Sequence, residues 1–257
     1  MVKRVAMKNK VKGFYFYISS IFIALLHLPA AFAKSAAANK LFYTPPADSA
    51  TKASIEAVAK PTPFLKSVYD SLHLNLKGLS KEAYDYAKKG METLIAEGKL
   101  FNQSIISIID FSQPSGKKRL FIIDLNNYKV LFNTLVAHGK NTGQEIASSF
   151  SNQNESFKSS PGFYITRETY QGKNGYSLKL EGVERGINDK AYERGIVIHG
   201  AEYVSDAFVN ARGFIGRSHG CPAVPVQLNR PIINTIKEGT CLFIYHPSYV
   251  DRSVVLD

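Results

Sequence analysis

The spacing of apolar residues changes character at Ser104. Before it, from Phe64 to Leu100, the period is helical: Leu65, Val68, Tyr69 and Leu72 fall at i, i+3, i+4 and i+7. Ser80 can cap a second helix, with Leu79 and Tyr84 placed as a hydrophobic staple across the cap. The apolar side of that helix carries Ala83, Tyr84, Ala87, Met91, Leu94 and Ile95, and Gly98 supplies a stop. After Ser104 the runs are short and β-branched. Ile105 to Phe111, Arg119 to Leu125 and Lys129 to Ala137 read as strands separated by turns at Gln113–Gly116 and Asn126–Asn127. Gly162 to Thr169, Tyr176 to Leu180, Gly195 to His199 and Thr240 to Tyr245 add more. A polar stretch from Gly143 to Ser160 is long enough to be a functional loop. Asn229 with Pro231 opens a short helix through Ile236, which Gly239 ends. The pattern predicts a mainly β body with helices at its start and near its end.

The first residues follow a different rule. A basic start, Met1 to Lys12, runs into an apolar stretch from Phe14 to Leu28, then Pro29 and the small-x-small triplet Ala31-Phe32-Ala33. That is the layout of a secretory signal peptide, with cleavage expected after Ala33. The apolar stretch is about 15 residues, short of the roughly 20 that a spanning helix needs, so no stable membrane span is expected after cleavage. Residues Lys34 to Thr62, rich in Ala, Ser, Lys and Pro, read as a flexible arm.

Export changes the meaning of the charge. The formal net charge is +11. Without Lys3, Arg4, Lys8, Lys10 and Lys12 of the leader, the 32 basic residues become 27 against 21 acidic, a balance near +6. No dense Lys/Arg stripe interleaved with aromatics accompanies it, which argues against nucleic acid as a partner. A mild positive field suits an anionic polymer and equally suits plain solubility. No HExxH, CxxC or carboxylate cluster points to a metal.

Two segments carry candidate chemistry: Ile198-His199-Gly200 at the end of an apolar strand, and Gly216-Arg217-Ser218-His219-Gly220-Cys221-Pro222 on a glycine turn. A free cysteine, pKa ~8.5, is mostly protonated at neutral pH, and a neighbouring imidazole can take its proton or hold the thiolate as an ion pair. Backbone N–H groups of the turn can receive an oxyanion. Pro222 has none, which leaves Cys221, Gly220 and His219 as donors. The plain alternatives are a core role for His199 and a disulfide between Cys221 and Cys241, the only two cysteines. Cys241 lies in an apolar strand, where it packs as a small hydrophobe. His138, in Val136-Ala137-His138-Gly139, adjoins no nucleophile and reads as structural.

His199-Gly200 and Ser218-His219-Gly220-Cys221 together resemble the catalytic signature of the L,D-transpeptidases, the YkuD family. Pro161-Gly162-Phe163-Tyr164 is similar to the family's Pro-Gly turn into a strand. Ile109-Asp110-Phe111-Ser112, Val136-Ala137-His138-Gly139, Phe150-Ser151-Asn152 and Gly186-Ile187-Asn188-Asp189 resemble its murein L,D-transpeptidase branch. The resemblance implies a β-sandwich-like catalytic domain, no metal or organic cofactor, and peptidoglycan stem peptides as substrate. It implies Cys221 as nucleophile, His199 as general base, Gly200 as the backbone group orienting it, and His219, Ser218 and Gly220 as the rest of the catalytic loop. Ala223 stands where many relatives have Arg or Asn. Arg217 is therefore expected to bind a donor carboxylate or carbonyl, the plainer role being an ion pair with Glu202 or Asp206. The chain thus reads as a signal peptide (1–33), an arm (34–62), a helical segment (63–100) and a catalytic body (101–257), acting in the periplasm or cell wall. An L,D-carboxypeptidase or hydrolase on the same peptides, or a silent wall-binding module, are the competing functions.

Overall fold

A computed structural model describes residues 67–256; the expected leader, the arm and Leu65 lie outside them. Helix α1, Val68–Ser71, is a single turn capped by the Ser67 side chain. Helix α2, Lys81–Ala96, starts where the sequence puts it, with the Ser80 hydroxyl accepting from the Ala83 N–H at 3.2 Å. Leu79 and Tyr84 are both buried beside that cap. Its far end closes on two bonds, Gly98 N–H to the Ile95 carbonyl and Lys99 N–H to the Leu94 carbonyl. Gly98 takes φ +68° to make them, a left-handed cap that favours glycine.

Eight strands follow: β1 (Ile105–Asp110), β2 (Leu120–Asp124), β3 (Lys129–Thr134), β4 (Gly162–Gly172), β5 (Gly175–Gly182), β6 (Val197–Gly200), β7 (Ala223–Val224) and β8 (Cys241–Tyr245). Their order is β3-β2-β1-β8-β4-β5-β6-β7, with β1–β8 and β6–β7 parallel and the other pairs antiparallel. Side chains alternate between two cores, as the two-residue period of a strand requires. Ile106, Phe121, Phe163 and Phe243 face one, together with α2 residues Tyr84, Met91 and Leu94. Ile122, Tyr164, Leu180 and Leu242 face the other, together with Ile232, Ile233 and Ile236 of helix α4, Val226–Ile236. The segments 63–100 and 101–257 therefore share a core as far as they are described. Contact is close enough that a side chain on Gly90 of α2 would run into the Phe163 ring.

Two elements depart from the sequence reading. Helix α4 opens at Val226, three residues before Asn229, and holds Pro231 inside it. An interior proline costs about 3 kcal/mol of helix propensity, and here three buried isoleucines on the same helix oppose that cost. Helix α3, Asp206–Arg212, is not among the elements the sequence pattern predicts; none of its residues is buried, so it has no apolar period to betray it.

The two ends of the sheet meet. The chain leaving β3, at one end, forms bridges from Ala137 to Ala223 of β7, at the other end, and from Gly139 to Ser218. The Ala137 N–H donates to the Ala223 carbonyl at 2.8 Å. Leu135, Ala137, Ala201, Val204, Ile215 and Ala223 fill this seam with mostly small side chains. The Ser218–Cys221 turn sits on it.

Candidate active site

Cys221 stands on a turn that only glycine can make. Gly220 adopts φ +123°, and a side chain there would come within 2.8 Å of the Lys158 carbonyl. Ser218 braces the turn from inside: its hydroxyl accepts from the Gly220 N–H at 3.0 Å and donates to the Cys221 carbonyl at 2.6 Å. The Gly220 carbonyl in turn accepts from the Ser159 hydroxyl. The Gly220 amide is thus occupied and is not an oxyanion donor here. The amides of His219 and Cys221 donate to no other residue among those described.

His199 arrives on β6, whose parallel register sets it beside Ala223, two residues from Cys221. Its Nδ1 lies 3.0 Å from the Gly200 carbonyl. A carbonyl only accepts, so Nδ1 carries the proton and Nε2 keeps a lone pair, with no protein partner among the described residues. Burial lowers the imidazole's pKa, opposed by that bond. Burial raises the Cys221 thiol, opposed by the Val197 amide and by Arg194. Both burial effects favour a neutral thiol beside a neutral imidazole over a resting ion pair.

The other expected site residues divide. His219 is exposed and packs on Phe157, ring centroids 4.6 Å apart, with no bond to the sulfur. Arg217 Nη1 donates to the Lys140 and Gly143 carbonyls, both at 3.2 Å, and no ion pair joins it to Glu202 or Asp206 among the described residues. Its Nη2 and Nε have no protein partner there. Cys221 and Cys241 are both free. They pack against opposite faces of the sheet, Cys241 in the α2 core and Cys221 beside the α4 core.

His138 is fully buried. Its Nε2 lies 3.1 Å from the Gly143 carbonyl and its Nδ1 2.7 Å from Arg119 Nη2. Nε2 therefore donates and Nδ1 accepts, the reverse of His199. Burial first, and then the Arg119 charge, push its pKa down to about 4. Its backbone holds the Cys221 turn, since the Ser218 N–H donates to the His138 carbonyl at 2.9 Å.

Sequence reasoning missed two arginines. Arg119 is fully buried, donates to the Val136 and Gln113 carbonyls and to His138, and lies over the Phe111 ring. A cation opening the apolar run Leu120 to Ile123 was its only signal. Arg194 is half-buried next to Gly195, whose carbonyl lies 3.8 Å from the Cys221 sulfur. Among the described residues no group of three His, Cys, Asp or Glu could hold a metal. No described helix is long and apolar enough to cross a membrane.

Comparison with known proteins bears on this arrangement. No curated protein matches the chain. Solved structures with similarity to it include an L,D-transpeptidase from Mycobacterium smegmatis, at 11% identity over 56% of this chain and 59% of that one, TM-score 0.35. The helical cell shape determining protein Pgp2 from Campylobacter jejuni aligns at 12% identity over 56% and 48%, TM-score 0.38. An L,D-transpeptidase (Yku) from Stackebrandtia nassauensis aligns at 14% over 65% and 67%, TM-score 0.34. The aligned part spans only about half to three-fifths of the first two. A model of the L,D-transpeptidase catalytic domain, YkuD_2, matches residues 75–245. That range is well over half of the chain and contains the cysteine turn, the histidine strand and the seam beneath them, so this protein belongs to the L,D-transpeptidase catalytic domain family.

Proposed function

We propose that this protein is an exported L,D-transpeptidase that works on peptidoglycan stem peptides through a thioester on Cys221. The observation that carries the reading is the His199 Nδ1 bond to the Gly200 carbonyl, which leaves Nε2 as a base on the strand beside the nucleophile turn. Nε2 takes the thiol proton as sulfur attacks the carbonyl carbon between the L-centre of meso-diaminopimelate and the terminal D-alanine. The amides of His219 and Cys221 receive the oxyanion. The C–N bond then breaks, the imidazolium returns its proton to the departing amine, and a thioester remains. An acceptor amine attacks that thioester, gives its proton to His199, and leaves a new peptide bond and a free thiol. Water in place of the amine would make the enzyme an L,D-carboxypeptidase by the same steps.

The two open donors of Arg217 support a second part of the reading: they bind a carboxylate of the donor stem through parallel hydrogen bonds. Export rests on the basic start, the apolar run and Ala31-Phe32-Ala33, with the mature chain beginning at Lys34.

The test is intact-mass analysis after exposure to a carbapenem, followed by incubation with purified stem tetrapeptide with and without an amine acceptor. Acylation of wild type, none in Cys221→Ala, and an amine-dependent product are expected. Release of D-alanine with no cross-product would establish the carboxypeptidase instead, and a thiol inert to both reagents would point to a silent wall-binding module.

A further inference from the structure

The loop from Ser151 to Ser160 lies under the Cys221 turn, and one side chain binds it at four points. Arg194 Nη1 donates to the Ser151 carbonyl at 2.9 Å and to the Ser160 hydroxyl at 2.7 Å. Its Nη2 donates to the Lys158 carbonyl at 2.7 Å and to the Ser156 hydroxyl at 3.3 Å. One fork therefore grips both ends and the middle of the loop. The Lys158 carbonyl that it holds is the atom against which Gly220 packs, and the neighbouring Ser159 hydroxyl bonds the Gly220 carbonyl. On its other side, Arg194 is joined directly to Gly195, whose carbonyl meets the sulfur. Displacing Arg194 would loosen the turn from two directions.

The charge on Arg194 has no counter-ion. No carboxylate pairs with it among the described residues, and the adjacent Glu193 instead accepts from Asn154. The other ionisable groups around the turn are engaged elsewhere or neutral. His199 is a neutral imidazole bonded to Gly200, and Tyr203 is a phenol whose pKa burial raises. Lys158 Nζ turns away to the Ser149 hydroxyl, Arg217 turns to the Lys140 and Gly143 carbonyls, and His219 packs on Phe157.

We infer that Arg194 is a positioning residue for Cys221: its fork fixes the loop on which the nucleophile turn rests, and its unpaired charge favours the thiolate over the thiol. The inference rests on the cysteine-nucleophile reading above, and Arg194 itself need not touch substrate. The lowering of the Cys221 pKa attributable to Arg194 agrees with this, against the larger opposing effect of burial.

The decisive measurement is the pH dependence of Cys221 alkylation by iodoacetamide, read by intact mass on the whole protein alongside its thermal midpoint. Only the thiolate reacts. Arg194→Gln is expected to move the alkylation midpoint up by about one pH unit, roughly a tenfold slower reaction below it. Arg194→Lys keeps the charge but cannot copy a planar fork that holds Ser151, Ser156, Lys158 and Ser160 together. It should keep the alkylation midpoint and lose at least about tenfold in carbapenem acylation, in line with the cost of small misplacements. A purely structural arginine would lower the melting temperature without moving the alkylation midpoint, and that outcome in Arg194→Gln would overturn the inference. If Arg194→Gln does not fold, Arg194→Lys decides: acylation at the wild-type rate would overturn it. A wild-type protein that is alkylated but never acylated would remove the transpeptidase reading and leave the alkylation test standing, because alkylation needs only the thiolate.

Discussion

Two histidines on neighbouring segments are held in opposite tautomers, and each tautomer has a measurable consequence. For His199, the proton on Nδ1 leaves Nε2 able to act as base. Because burial depresses its pKa, the base form is reached at a lower pH than for an ordinary imidazole. Carbapenem acylation should rise with pH through that depressed value and then level off. His199→Ala should lose about 10²–10⁴ in acylation rate, the usual cost of removing a general base. A mild loss there with a severe one in His219→Ala would reassign the base. For His138 the sign concerns stability. Its folded pKa of about 4 lies below the unfolded value, so the unfolded chain binds the extra proton and gains on the folded one as pH falls. That burden is absent above about 6.5 and reaches roughly 3 kcal/mol once pH has passed below 4. His138→Asn should flatten the dependence of the urea midpoint on pH between 7 and 5; an unchanged slope would mean that His138 is protonated in the fold. Cys221, His199 and Ser218 stood out in the sequence because His199-Gly200 and Ser218-His219-Gly220-Cys221 together resemble the family's signature. Arg119 and Arg194 could not. Their partners lie as far as 43 residues away along the chain, and a long flexible side chain leaves no periodic trace of where it ends.

Secondary structure was legible where burial on one side imposed a period. Helix α2 is the clearest case: cap, staple, apolar stripe and left-handed stop fall at Ser80, Leu79 with Tyr84, Met91 with Leu94, and Gly98. Gly90 is the residue of that helix whose reason lies outside it. On an isolated helix, Gly→Ala adds about 1 kcal/mol of stability. Here the new methyl would meet the Phe163 ring, so Gly90→Ala should instead destabilise by roughly 1–3 kcal/mol, the range for overpacking a filled core. Chemical denaturation checks the sign, and a stabilised variant would show that α2 can lift from β4. The start of α4 was hidden for the opposite reason. Pro231 signals a helix start locally, while the burial of Ile232, Ile233 and Ile236 that holds the helix together is a property of the assembled sheet.

Across the whole molecule, the segment after the last strand is fastened to the middle of the chain by one buried carboxylate. Glu184 accepts from the Phe163 amide at 2.8 Å, the Tyr249 hydroxyl at 2.6 Å and the Ser253 hydroxyl at 2.6 Å. The same carboxylate occupies the space where a side chain on Gly162 would lie, which accounts for that glycine in the Pro-Gly turn. Tyr249→Phe removes one donor from a buried anion and should cost about 1–3 kcal/mol by thermal unfolding. Its acylation rate should stay at the wild-type value, because none of these groups bonds the Cys221 turn. An acylation defect at full stability would tie the chain's end to the active site.

The place of β8 decides when any of this can exist. It is the last of the described strands along the sequence and lies near the middle of the sheet, paired to β1 on one side and β4 on the other. Until Cys241–Tyr245 arrives, β1 to β3 and β4 to β7 are two half-sheets with no strand joining them. The sheet therefore cannot close before residues 241–245 are available, and such distant pairings slow its closure. The Cys221 turn sits where the two outer ends meet, so its support depends on both halves being in place. A chain cut short before residue 241 would lack the strand that joins the two halves, and the Cys221 turn would have no closed sheet to rest on.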